Sequence, residues 1–176
     1  MKTNGFNIKK LTLSGLFLAV GVVLPYLTGQ IKEIGDSLLP MHIPVMLAGF
    51  VLGKEYGLLV GLILPFLKSI ISGMPPIYPN AVWMSAELLV YGFVSGFLYH
   101  NFFKEKLWWL YGTLIISMIS GRAVWGIVKA VLLGLKGTPF GIEAFLIGGF
   151  IDAFPGIIIQ LIIIPPIVRL LSKYIK

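Results

Sequence analysis

An all-α, polytopic membrane protein of six transmembrane helices, with both termini in the cytoplasm, is the fold class that this 176-residue sequence predicts. Three features carry the prediction: scarcity of charge, long uncharged apolar runs and a one-sided distribution of basic residues. Hydrophobic residues make up 57% of the chain and charged residues 12%, whereas a soluble domain carries about 25% charged residues. Runs such as Leu11 to Leu27, Ala144 to Ile151 and Gly156 to Val168 contain no charge that would give a helix a wet face, so lipid must be the solvent. At roughly 20 residues per span, residues 1–176 hold one six-helix membrane domain and leave no room for a nucleotide-binding domain. Any energy for transport must then come from a partner or an ion gradient.

Helix 1 is expected from about Ile8 to Leu27, followed by a polar loop over Thr28 to Ser37. Lys2, Lys9 and Lys10 before an apolar stretch imitate a cleavable signal, but no small-residue cleavage site follows, so the helix is read as retained. Helix 2, about Leu38 to Leu52, contains Pro40 and Pro44 and is expected to be bent or incompletely spanning. Gly53 to Tyr56 predicts a tight turn into helix 3, about Gly57 to Ser72. The stretch Ser72 to Asn80 holds three prolines and no charge, which favours a stiff extended loop. Helix 4 (about Ala81 to Tyr99), a polar link, helix 5 (about Leu107 to Leu133), a Gly/Pro-containing loop over Gly134 to Gly141 and helix 6 (about Ile142 to Ser172) complete the chain. In this topology Lys2, Lys9, Lys10, Lys54, Lys104, Lys106, Arg169, Lys173 and Lys176 share one side, against Lys32 and Lys136 on the other. The positive-inside rule puts the first group in the cytoplasm.

Several function classes are excluded at this stage. No cysteine is present, which removes disulfides, thiolate metal sites and cysteine nucleophiles. The net charge of +7 follows membrane topology rather than forming a nucleic-acid-binding face. There is no G-x-S-x-G, H-E-x-x-H, Walker A or G-x-G-x-x-G motif, and His42 and His100 fall on opposite sides of the membrane. No enzyme activity, metal or cofactor is expected, although the carboxylates leave intramembrane acid chemistry formally open.

Ionisable residues inside spans are costly and are usually functional or paired; here they are Lys68, Glu87, Arg122, Lys129 and Asp152. Lys68, Glu87 and Lys129 fall one to two turns from the external helix ends, Arg122 and Asp152 deeper, and all five can border a cavity open to the outside. Arg122 and Lys129, seven residues apart, share one face of helix 5 about 10 Å apart along its axis. Three bases against two acids leave a surplus positive charge, which favours an anionic small molecule. The alternative is structural: Arg122 paired with Asp152 or Glu87, and the lysines snorkelling to the interface. Tyr78, Asn80, Trp83 and Trp125 suit either an apolar pocket with a few oriented polar groups or an aromatic belt. In helix 1, Gly15 and Ala19 give a small-xxx-small spacing that lets another helix approach closely.

With these features, the chain resembles the S components, the substrate-binding subunits of energy-coupling factor (ECF) vitamin transporters. The resemblance covers the whole chain and is most specific in the central block: Met41-His-Ile-Pro-Val-Met-Leu-Ala-Gly-Phe50 with Gly53, Tyr56-Gly57, Gly61, Gly73-Met-Pro-Pro76, Pro79, and Glu87 before Tyr91-Gly92 and Gly96. That block looks most like the pantothenate-type members. It implies a bacterial plasma-membrane protein that captures a vitamin outside, with a membrane scaffold subunit and two cytoplasmic ATPases as partners. The family's helix 1 motif is alanine-xxx-alanine; here Gly15 takes the first place and Ala19 keeps the second. Riboflavin, a pyridoxine-type vitamin or a thiamine precursor stands as the alternative substrate, and a stand-alone secondary transporter as the alternative class.

Overall fold

The computed structural model describes residues 7–27, 37–102 and 107–174. Most of the first external loop expected over Thr28 to Ser37 lies outside these residues. All regular structure among them is helical: α1 (Ile8–Leu27), α2 (His42–Leu52), α3 (Lys54–Ser72), α4 (Val82–Phe102), α5 (Leu107–Gly134), α6 (Ile142–Leu146) and α7 (Phe154–Tyr174). A π-helical turn, Ile77–Ala81, leads into α4, and another, Ile147–Ile151, continues α6. Five helices are long and apolar enough to cross a membrane: α1, α3, α4 with its π turn, α5 and α7.

Each expected helix has a counterpart among the described residues, with four differences. Helix α2 has 11 residues, about 16 Å at 1.5 Å per residue, half of a bilayer core of about 30 Å. The turn expected over Gly53 to Tyr56 contracts to Gly53, whose φ of 106° is open to glycine, and Lys54 already opens α3. The single helix expected over Ile142 to Ser172 is interrupted at Asp152 and Ala153, just before Pro155, whose ring and missing N–H break the helical ladder. In the proline segment the peptide bonds Met74–Pro75 and Tyr78–Pro79 are cis. Only its first half is extended; the second half is the π turn, with Tyr78 itself in an extended conformation (φ −123°, ψ 130°).

Helix α2 is buried along nearly its entire length, from His42 to Leu52, and packs between α1, α3, α4 and α7. Its core partners include Leu64, Leu88, Tyr91, Leu114 and Ile164. A helix that ends inside a protein leaves its last carbonyls without donor partners. Two cationic or ring donors supply them: Lys10 Nζ donates to the Leu52 carbonyl (2.9 Å) and His100 Nε2 to the Phe50 carbonyl (3.0 Å). They border a cavity of about 220 Å³ that Lys54, Tyr56 and Asn101 also line.

Close approach of α2, α3 and α4 rests on glycine. A methyl group on Gly57 would meet the Gly92 carbonyl and the Gly49 Cα, and one on Gly61 would meet the Leu88 carbonyl. Gly96 faces the backbone of Gly53 and Lys54 in the same way. Without hydrophobic driving force between helices in lipid, such backbone contact is the main source of association.

Candidate functional site

The described charges inside the bundle gather toward the end that carries the proline segment. Glu87 and Tyr91, one turn apart on α4, face His42 at the start of α2 and Arg122 on α5. Arg122 Nη1 lies 3.0 Å from Glu87 Oε1, and His42 Nε2 lies 3.4 Å from the same oxygen. The Tyr91 phenol hydrogen-bonds the Glu87 carboxylate, and its ring packs edge-on against His42 at 5.2 Å. All four side chains are buried, Glu87 at 2% and Arg122 at 4% exposure. Gly121 makes the arrangement possible, because a methyl there would lie 2.7 Å from the Tyr91 ring. Arg122 Nη2 makes no hydrogen bond, so one face of the guanidinium still has donor capacity.

Toward the proline segment, the Arg122 guanidinium lies 5.7 Å from the Trp125 ring. Lys129 Nζ sits among three rings: Trp125 at 4.4 Å, Phe140 at 5.0 Å and Trp83 at 5.4 Å. Such contacts are worth about 0.5–2 kcal/mol each, more when water is excluded. Trp125 is itself buried, with Phe140 and Phe145 around it, and Gly148 and Gly149 pass close to its ring. Lys136 Nζ lies 4.6 Å from the Tyr78 ring, which ties the segment after α5 to the proline segment.

Lys68 is set apart from this group. Its side chain points inward, 3% exposed, and its ammonium lies 3.8 Å from the ring of Tyr26 on α1. Nζ makes no hydrogen bond.

Of the residues singled out in the sequence, the structure thus brings Glu87, Arg122, Trp125, Lys129 and Trp83 into one chain of contacts. Tyr78 is exposed and Asn80 half-buried, both in the π turn beside it. Asp152 is exposed and forms no ion pair with Arg122; of the two acids considered for that role, Glu87 fills it. Lys68 does not snorkel, because protein closes over its ammonium. Gly15 and Ala19 lie on the exposed face of α1, and nothing approaches within 4 Å of a methyl placed on Gly15. His42, Tyr91, Phe140 and Tyr26 were not singled out as candidates. The four-residue spacing from Glu87 to Tyr91 signals a shared helix face; His42 gives no signal of its partner, which lies 45 residues away in a different helix.

The sequence profile of the family described as "ECF transporter, substrate-specific component" matches residues 9–168. No curated protein and no solved structure matches the chain.

Proposed function

The chain belongs to the family of ECF transporter substrate-specific components, and from this premise we propose that it captures a vitamin, with pantothenate the best candidate, at the external face for ATP-driven uptake. This is a transporter subunit family, not an enzyme family. The lysine-rich end is then cytoplasmic and the proline segment external. The observation that carries the reading is the Lys129 ammonium held among Trp83, Trp125 and Phe140, with Arg122, whose Nη2 makes no hydrogen bond, near the same Trp125 ring. Apolar rings with a few oriented donors are what a small-molecule site needs, and cations suit a monocarboxylate. Tyr78 and Asn80 border it as rim residues.

Arg122 is paired with Glu87 and Asp152 is exposed, so among the described residues Lys68 is the buried base with no hydrogen-bond partner for its ammonium. A riboflavin, pyridoxine-type or thiamine-precursor ligand is the alternative within the same class. Calorimetric titration of the purified subunit with a vitamin panel tests the reading: one ligand binds tightly with a stoichiometry of one. Silence across the panel defeats it.

The partners proposed are a membrane scaffold subunit and two cytoplasmic ATPases, with docking on the exposed α1 face. Gly15→Leu and Ala19→Leu should each abolish uptake in cells while leaving ligand affinity within about twofold, since a branched side chain holds a partner helix away without touching the site. Unchanged uptake in both variants would remove α1 as the docking surface.

A further inference from the structure

We infer that Lys68 is the specificity-determining anchor for an anionic group of the ligand, which makes the outer end of α1 part of the binding site. The inference rests on the vitamin-binding reading above and deepens it.

Helix α3 places Lys68 on its buried face, in register with Gly57, Gly61, Leu64 and Pro65, one turn before the helix ends at Ser72. At 3% exposure neither water nor a lipid headgroup reaches the ammonium, so snorkelling does not explain it. Neither does pairing: among the described residues no carboxylate lies within salt-bridge distance, and Nζ has no hydrogen-bond acceptor. Among the described residues the ring that its ammonium contacts is that of Tyr26, at 3.8 Å. A cation–π contact offsets only a small part of the cost of taking an ammonium out of water. The other buried base, Arg122, shows what a structural solution looks like here, with a carboxylate at 3.0 Å. Among the described residues the buried ammonium has no counter-charge, and a ligand carboxylate or phosphate supplies one together with acceptors for three N–H donors. Tyr26 is 43% exposed at the end of α1, so a ligand entering from that end meets Tyr26 first and takes the ammonium from its ring.

A lysine serving structure and a lysine waiting for an anion respond oppositely to removal. Lys68→Met keeps the length and the apolar stem and deletes the unpaired charge. The ligand-free Lys68→Met protein should therefore melt about 2–4 °C higher than the parent in detergent. Its affinity for the vitamin identified by the panel should fall at least about 30-fold, whereas Lys68→Arg stays within about tenfold. If the bound vitamin is pantothenate, the parent should prefer it strongly over pantothenol, its neutral alcohol, and Lys68→Met should lose that preference. A lower melting temperature in Lys68→Met, unchanged affinity for the anion, or a neutral vitamin as the bound ligand would each overturn the inference while leaving a vitamin-binding subunit in place. A parent that binds nothing in the panel instead defeats the reading on which it rests.

Discussion

Replacing Arg122 by methionine should destabilise the protein by about 3–5 kcal/mol, the usual consequence of stranding one member of a buried ion pair. Glu87 would then lose its cation at 3.0 Å while remaining 2% exposed, with His42 and Tyr91 as its remaining polar neighbours. Glu87→Met should be comparably damaging, because the guanidinium would be left in the same dry region. The double variant Arg122→Met/Glu87→Met should regain most of the loss, since two apolar side chains of suitable volume replace a pair whose mutual attraction is largely cancelled by desolvation. Combining Arg122→Met with Asp152→Asn should regain nothing, because Asp152 is exposed and is not the partner. Thermal unfolding in detergent of the parent, the two single variants and the two doubles measures the coupling; additive losses in the Arg122/Glu87 pair would show that the two charges do not hold each other.

Gly92→Ala is expected to be the most damaging single-methyl change in the chain. Its new Cβ would run into the Gly57 carbonyl, and the nearest atoms are all backbone, so no rotamer change makes room and α3 must move off α4. Overpacking of this kind costs about 1–3 kcal/mol or more, which for a chain of this length corresponds to a fall of at least several degrees in melting temperature. Gly112→Ala on α5 is the control. Nothing lies within 4 Å of its new methyl, and alanine is the better helix former by about 0.5–1 kcal/mol, so that variant should melt at the parent temperature or slightly above it. Equal melting temperatures for Gly92→Ala and Gly112→Ala would show that the α3–α4 seam is not backbone-limited.

Element order and helix type are legible in the sequence because lipid imposes them: uncharged runs of the right length can be little else. Boundaries are less so. The break at Asp152 and Ala153 is signalled by Pro155, but the short α6 before it reads as one continuous apolar run with α7, since glycines at 148 and 149 do not by themselves mark a π turn. The intramembrane charges are visible one by one, and their pairing is not. By depth alone Asp152 matches Arg122 better than Glu87 does; what decides for Glu87 is helix rotation, which exposes Asp152 and buries Glu87. Lys68 carries the same lesson. A lysine one turn from a helix end can reach the interface or turn inward, and only the position of α1 and Tyr26 decides which.

The glycine seam among α2, α3 and α4 has a mechanical consequence. Where backbone meets backbone there are no side-chain torsions to absorb a displacement, so these three helices form a stiff plate whose members cannot slide past one another by a fraction of a turn. His42 and Glu87 ride on that plate; Arg122 stands on α5, outside it. Among the described residues the Arg122–Glu87 contact is the ion pair that bridges the plate's edge. A shift of α5 against the plate must therefore change this ion pair together with the Tyr91–Gly121 packing and the Lys129–Trp83 contact, so the pair reports on any such shift.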